Sequence, residues 1–200
     1  MLLCFIVPKT KGKKMKRKII FCCAVIFMGL HVGATNPPKP LAGYSWVQSK
    51  DKKIAFLRPN GWFLRRTGKG AVETMCVSVE DSKKNGGFTT GFTLNIIKNV
   101  KKKFHKTPSE FAVAFIKDTT SKHKTLKKWN HNQGLLKGFG CRIKSKEKGD
   151  IAMVYHYHLV ANDKTGTLFI CFFEAPEKSW DTAWKKGEKL MKYLWLDDEV

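Results

Sequence analysis

The clearest pattern in the chain is an alternation of apolar and polar residues over short runs, which is typical of β-strands. The longest such runs cover residues 72–80, 151–160 and 167–174. The last run is apolar at both odd and even positions, so we expect it to lie in the middle of a sheet that is covered on both faces. A polar, glycine-containing segment at residues 162–166 separates two of the runs and predicts a hairpin.

Two segments have a helical pattern instead. Residues 107–110 read Thr-Pro-Ser-Glu, a capping box with proline at the first helical position, so a helix is predicted to begin at Pro108. After Pro176, large apolar residues and one glycine recur every three or four positions from Trp180 to Leu194 and predict a helix that packs on the sheet. Residues 125–137 remain ambiguous. The order of strands, helix, strands and helix predicts an α+β fold, an antiparallel β-sheet flanked by helices on both faces.

The beginning of the chain has the pattern of a signal peptide. A basic stretch at residues 16–18 precedes an apolar run at 19–30, which is too short to span a bilayer as a helix, and small residues end at Ala34. We therefore predict a signal peptide over residues 1–34, with Met15 as an alternative start, then an extended linker over 35–50 and a single domain over 51–200. A retained membrane anchor is the alternative. The predicted location is periplasmic or secreted.

The chain is strongly basic, with 38 lysines and arginines against 16 acidic residues and a formal net charge of +22. Only seven of these basic residues and none of the acidic ones precede residue 35, so the excess belongs to the predicted domain. Most of the excess is lysine, which attracts anions as a point charge. We predict that lysine-rich faces bind a protein partner or an anionic surface, such as an acidic protein or lipopolysaccharide. Non-specific nucleic-acid binding is a further alternative, and a solvated face without a partner is the structural one.

The predicted binding residues fall into three groups along the chain. The last group alternates with other residues and therefore predicts a strand with a basic outer face. The residues are Lys98, Lys101, Lys102, Lys103 and Lys106, then Lys124, Lys127 and Lys128, then Arg142, Lys144, Lys146 and Lys148.

Few residues are candidates for chemistry. Cys76, Cys141 and Cys171 follow the predicted leader and lie in apolar runs, so we expect them to be buried and unreactive, with one disulfide as the alternative. His156 and His158 are two residues apart on a predicted strand, so both lie on one face. They predict a metal site, in a metal-binding protein or a metal-dependent hydrolase, only if a third ligand approaches. A polar strip beside a helix is the structural alternative.

No sequence motif for a catalytic nucleophile or a phosphate-binding loop is present, and no pair of carboxylates suggests acid–base work. We therefore predict that the protein is not an enzyme and that it needs no cofactor.

Several short segments together resemble the PsbP-like family, whose fold is shared with the Ran guanine-nucleotide release factor. The segments are residues 56–62, 90–95, 165–169 and 173–176, followed by Trp180, Trp184 and Gly187. The resemblance covers roughly residues 53–196. It implies a central antiparallel sheet flanked by helices, no intrinsic enzymatic activity, and docking onto protein complexes. The leader does not look like a plastid transit peptide, and a secreted protein would not meet a nuclear GTPase. A bacterial extracytoplasmic member of unassigned role fits better.

Overall fold

The computed structural model of the protein describes residues 37–146, 151–197 and 199. Its strands are β1 (Tyr44–Gln48), β2 (Ile54–Pro59), β3 (Phe63–Lys69), β4 (Val72–Ser78), β5 (Gly91–Ile97), β6 (Lys124–Gln133), β7 (Leu136–Lys146), β8 (Ala152–Asn162), β9 (Thr167–Pro176) and β10 (Trp195–Leu196). Its helices are α1 (Val100–Phe104), α2 (Pro108–Lys122) and α3 (Trp180–Lys192), and α3 follows a short 3-10 helix (Glu177–Ser179).

Seven of these strands form one antiparallel sheet in the order β3-β4-β5-β9-β8-β7-β6, and a smaller sheet has the order β1-β2-β10. The doubly apolar strand β9 occupies the middle of the large sheet, which confirms the prediction. Leu168 and Ile170 join the core on the side of α2, while Phe169 and Phe173 join the core on the side of α3. The predicted α+β architecture, an antiparallel sheet with helices on both faces, is likewise confirmed.

Helix α2 covers one face of the large sheet over β7, β8 and β9. It begins at Pro108, as the capping box predicts. The Thr107 side chain accepts a hydrogen bond from the backbone N–H of Glu110 at 3.2 Å, and the Glu110 carboxylate accepts one from the backbone N–H of Thr107 at 2.8 Å. The buried residues Ala112 and Ile116 then pack against a core that includes Ile143 of β7.

Helix α3 covers the other face, where it packs on β9, β5 and the small sheet. Of the predicted seam, Trp180 and Gly187 are buried, and Trp184, Met191 and Leu194 are partly buried against the same core. Leu190, which the predicted spacing leaves out, is also buried, and Leu194 lies after the end of the helix. Gly187 permits a close approach, because a Cβ atom at this position would lie 2.7 Å from Cγ of Phe173. None of the described helices is long and apolar enough to cross a membrane.

Two segments differ from the sequence prediction or resolve its ambiguity. Residues 44–48 lie within the predicted linker, but they form β1 and pair with β2. Val47 is only 3% exposed, because this strand closes the core under α3, so the domain begins before residue 51. The ambiguous stretch 125–137 belongs to β6, its turn, and the start of β7. The predicted signal peptide lies outside the described residues.

Candidate functional site

The fold brings together two of the three predicted basic groups. Lys124 and Lys127 of β6 stand opposite Lys144 and Arg142 of β7, respectively, and Lys128 stands opposite Cys141. We call Lys124, Lys127 and Lys128 the basic edge, because β6 is the last strand of the sheet. Lys146 lies at the end of β7, and Lys148 lies outside the described residues.

The first basic group lies elsewhere. Lys98 follows β5, Lys101–Lys103 lie on α1, and Lys106 precedes α2, whereas the basic edge begins just after α2 ends. A helix of this length, 15 residues, spans about 22 Å. Because this distance exceeds the Debye length of about 8 Å at physiological salt, the two groups attract anions independently. Lys101 and Lys102 also line a shallow groove with Lys164 beside the start of α2.

Several lysines of these groups have no acidic partner. Lys98 pairs with Asp51 at 3.5 Å, and Lys144 pairs with Glu177 at 2.6 Å. The lysines of the basic edge are exposed, and no carboxylate of residues 37–146, 151–197 or 199 lies within ion-pairing distance of them. Lys128 Nζ instead donates a hydrogen bond to the Thr120 hydroxyl of α2 at 3.2 Å. The charge of this edge therefore faces solvent.

Arg142 does not lie on an exposed outer face, which corrects the prediction for β7. Its guanidinium is half-buried and lies 4.4 Å from the ring centre of Trp184 and 5.1 Å from that of Trp180. Burial lowers the pKa of Arg142. The delocalised, weakly hydrated guanidinium tolerates such a site because it stacks on aromatic faces. Arg142 therefore points toward α3, where it is part of the packing.

His156 belongs to the same stack. Its ring lies 4.3 Å from that of Trp184 and 4.6 Å from that of Trp129 on β6. Its Nδ1 atom is 3.3 Å from Nε and 3.2 Å from a terminal nitrogen of Arg142. Because a guanidinium only donates, Nδ1 accepts, and the proton of a neutral His156 resides on Nε2. Burial, with the charge of Arg142 second, lowers the pKa of His156 to about 3.

His158 lies beside His131 of β6, with parallel rings 5.2 Å apart. Burial, followed by the charge of His131, lowers the pKa of His158 to about 4. Both histidines of the predicted metal pair are therefore neutral at pH 7, as a metal ligand must be. However, the described part of the chain contains no cluster of three His, Cys, Asp or Glu residues placed to hold an ion. The metal site stays a prediction, and the contact of both rings with aromatic neighbours agrees with the structural alternative.

Sequence reasoning missed the aromatic residues of β6 that complete this face. The rings of Trp129 and His131 lie directly over two glycines of β7. A Cβ atom on Gly140 would be 2.1 Å from Cε2 of Trp129, and one on Gly138 would be 2.1 Å from Cε1 of His131. The signal was present as two alternating pairs, a Trp-x-His and a Gly-x-Gly, because cross-strand glycines leave room for large rings.

The three cysteines agree with the expectation for buried side chains. Cys76, Cys141 and Cys171 are free and buried. Burial raises the pKa of all three thiols, that of Cys141 to about 11. Since the thiolate is the reactive species, these cysteines are poor nucleophiles at neutral pH.

No family model and no curated protein sequence matches the chain. Among solved structures it is similar to PsbP of the cyanobacterium Synechocystis, with 11% identity and a TM-score of 0.48 over 82% of this chain and 98% of that one. It is also similar to the Ran-binding protein Mog1p of Saccharomyces cerevisiae, with 13% identity and a TM-score of 0.48 over 78% and 97%. A protein of Bacteroides thetaiotaomicron aligns at 15% identity and a TM-score of 0.49, over 76% of this chain and 48% of that one.

PsbP and a Ran-binding protein also represent the two groups that share the fold of the family the sequence resembles. At these identities the likeness concerns fold alone, and the function of this chain is argued from its own residues.

Proposed function

We propose that the protein is a non-enzymatic binding or accessory module, exported by its predicted leader, that docks onto a protein complex or an anionic envelope surface through its lysine-rich faces. The observation that carries this proposal is the basic edge, three exposed lysines on one strand without a carboxylate partner among the described residues. The group on and around α1 provides a second basic face about one helix length away.

The scaffold supports such a role because it holds the lysines on a rigid element. β6 pairs with β7 along nine registered residue pairs. β7 in turn contacts α3, because Arg142 packs against Trp180 and Trp184. A preorganised charged surface loses little conformational entropy when it binds, so its electrostatic attraction is retained in the complex. Fixed surface charge also speeds the encounter with an oppositely charged partner.

The buried groups described above favour binding over catalysis. Burial raises the pKa of Cys76, Cys141 and Cys171, while it lowers the pKa of His156 and His158 to about 3 and 4. A useful general base has a pKa close to the working pH, and a useful nucleophile must ionise there.

The proposal is tested by measuring binding of the purified full chain to two anionic probes, poly-L-glutamate and lipopolysaccharide, at 50 and 200 mM salt. We expect binding that weakens at high salt. The variant Lys124→Gln/Lys127→Gln/Lys128→Gln should bind less tightly. A matched control, Lys83→Gln/Lys84→Gln/Lys185→Gln, removes the same charge from exposed lysines elsewhere and should bind nearly as well as the wild type.

The two probes separate the two kinds of partner. Preference for poly-L-glutamate supports an acidic protein partner, and preference for lipopolysaccharide supports an envelope surface. Absence of binding to both, or equal losses in the two triple variants, would refute docking through the basic edge.

A further inference from the structure

β6 is an open edge of the large sheet. It is the last strand in the order, and within the part of the chain that the structure describes it pairs with β7 alone. Nine of its ten residues are exposed, and only Trp129 is partly buried. A free edge of this kind presents backbone N–H and C=O groups that can pair with another extended chain.

The side chains of β6 determine which kind of chain can pair with this strand. Lys127, Trp129 and His131 alternate along the strand and face the side of α3, while Lys128 reaches Thr120 of α2 on the other side. A neighbouring strand would therefore meet positive charge on both of its faces near Lys127 and Lys128. Pairing of two copies of this edge would bring lysine-rich strands together, which charge repulsion disfavours.

We propose that β6 accepts an extended acidic segment of a partner protein as an eighth strand of the sheet. This inference rests on the proposed docking function and specifies its mode and the chemistry of the partner. The segment carries acidic residues at consecutive positions opposite Lys127 and Lys128, because these two lysines project to opposite faces. Beyond them, an apolar side chain of the segment packs beside Trp129 and His131. The regular part of β6, from Lys127 to Gln133, is long enough for about seven residues, or about 23 Å.

Two features favour a peptide over a nucleic acid. A nucleic acid has no backbone that continues the hydrogen-bond ladder of a sheet, whereas an extended peptide satisfies the open edge directly. The basic edge also contains only lysine, which lacks the planar fork that binds phosphate in a bidentate manner.

The shift of register between Thr125 and Lys127 limits the region of β6 that can pair with a peptide to the residues after this shift.

The test uses the full chain and a fluorescein-labelled ten-residue peptide with four central glutamates and Thr-Val-Thr at each end. This sequence reads the same from both ends, so it can pair in either direction. Binding is followed by fluorescence anisotropy. We expect Lys127→Gln/Lys128→Gln to weaken binding about fivefold, the combined effect of two exposed ion pairs. The matched variant Lys83→Gln/Lys84→Gln, which changes two adjacent exposed lysines of another loop, should bind as the wild type does. Circular dichroism should show that both variants fold.

One further probe separates strand pairing from charge attraction. It has the same sequence and charge as the first peptide, but every residue from the second to the ninth is N-methylated, so it has lost its amide donors on both edges. Strand addition predicts that this probe loses at least tenfold in affinity, because it cannot continue the hydrogen-bond ladder of the sheet. If it binds as tightly as the unmethylated peptide and binding still depends on Lys127 and Lys128, strand addition is refuted while docking by charge stands.

Two other outcomes would overturn the inference. If Lys127→Gln/Lys128→Gln binds the acidic peptide as tightly as the wild type does, both strand addition at β6 and the proposed docking function are refuted. Tighter binding of single-stranded deca-thymidine at the same edge, with displacement of the peptide, would replace the acidic peptide by a nucleic acid and overturn the inference.

Discussion

Acid should destabilise this protein well above the pH at which most carboxylates titrate, because two histidines are neutral in the folded state. Burial lowers the pKa of His156 to about 3 and that of His158 to about 4, from 6.5. Below pH 6.5 the unfolded chain binds protons at these positions and the folded chain does not. The free energy of unfolding is therefore highest above pH 6.5 and falls as the pH decreases toward 4 and 3.

The magnitude follows from proton linkage. Between pH 7 and pH 4.5, each histidine lowers the free energy of unfolding by about 2.5 kcal/mol, and the two together by about 5 kcal/mol. A domain of ordinary stability has about 5–15 kcal/mol in total, so this loss brings it close to unfolding. Carboxylates with lowered pKa values, such as Asp51 and Asp163, act in the same direction but only as the pH falls toward their unfolded value of 3.8. The interval between pH 6.5 and 4.5 thus isolates the histidines from them.

The assay is urea unfolding followed by tryptophan fluorescence at pH 7.0, 5.5 and 4.5. The variant His156→Gln/His158→Phe should be less stable than the wild type at pH 7 but should lose much less stability on acidification. The control His123→Gln changes an exposed histidine at the end of α2 and should retain the full slope. A free energy of unfolding that is constant between pH 7 and 4.5 in the wild type, or an unchanged slope in the double variant, would refute the reasoning.

Three further predictions concern stability and metal binding. Gly140→Ala should lower the free energy of unfolding by about 2 kcal/mol in urea titrations, because the added Cβ displaces the ring of Trp129. The control Gly87→Ala should be nearly neutral, because a Cβ atom there would have no neighbour within 4 Å. Equal effects of the two substitutions would contradict this account of Gly140. Thr107→Ala should cost about 1 kcal/mol through loss of the cap, measured by thermal unfolding, and Thr107→Ser should restore most of it. Calorimetric titration with zinc at pH 7 should show no stoichiometric binding. The reason is that Nδ1 of His156 already accepts a hydrogen bond from Arg142 and the described residues supply no cluster of three ligands. Binding of one equivalent of zinc that is lost in His158→Phe would support the metal site instead.

Local sequence patterns were sufficient for the parts of the fold that depend on neighbouring residues. The capping box specified the start of α2, because a Thr side chain and a Glu three positions later bond each other's backbone regardless of the rest of the fold. The spacing from Trp180 to Leu194 predicted a helix that packs on the sheet, although it left out the buried Leu190 and extended past the end of α3. The run at residues 167–174, which is apolar at both odd and even positions, predicted a central strand. In a strand that is buried on both faces, a polar side chain at any position costs free energy, so nearly all positions are apolar.

Patterns failed where a residue's surroundings come from distant strands. Arg142 alternates with other basic residues, a pattern that predicts an outer face, yet it packs against Trp180 and Trp184. The spacing of β7 shows that Arg142 and Lys144 share a face, but only the packing of α3 decides that this face is partly covered. Likewise, the predicted linker includes residues 44–48, and only their pairing with β2 shows that they belong to the domain.

The candidate site divides in the same way. The sequence by itself determined that lysine dominates the charge, that His156 and His158 share a face, and that the cysteines lie in apolar runs. Tertiary structure alone decided that Lys124 and Lys127 lie opposite Lys144 and Arg142, and that β6 is the last strand of the sheet in the described part of the chain. Strand order and register depend on contacts between residues far apart in the chain, and each alternation along a strand is compatible with many partners, so only the folded sheet selects one.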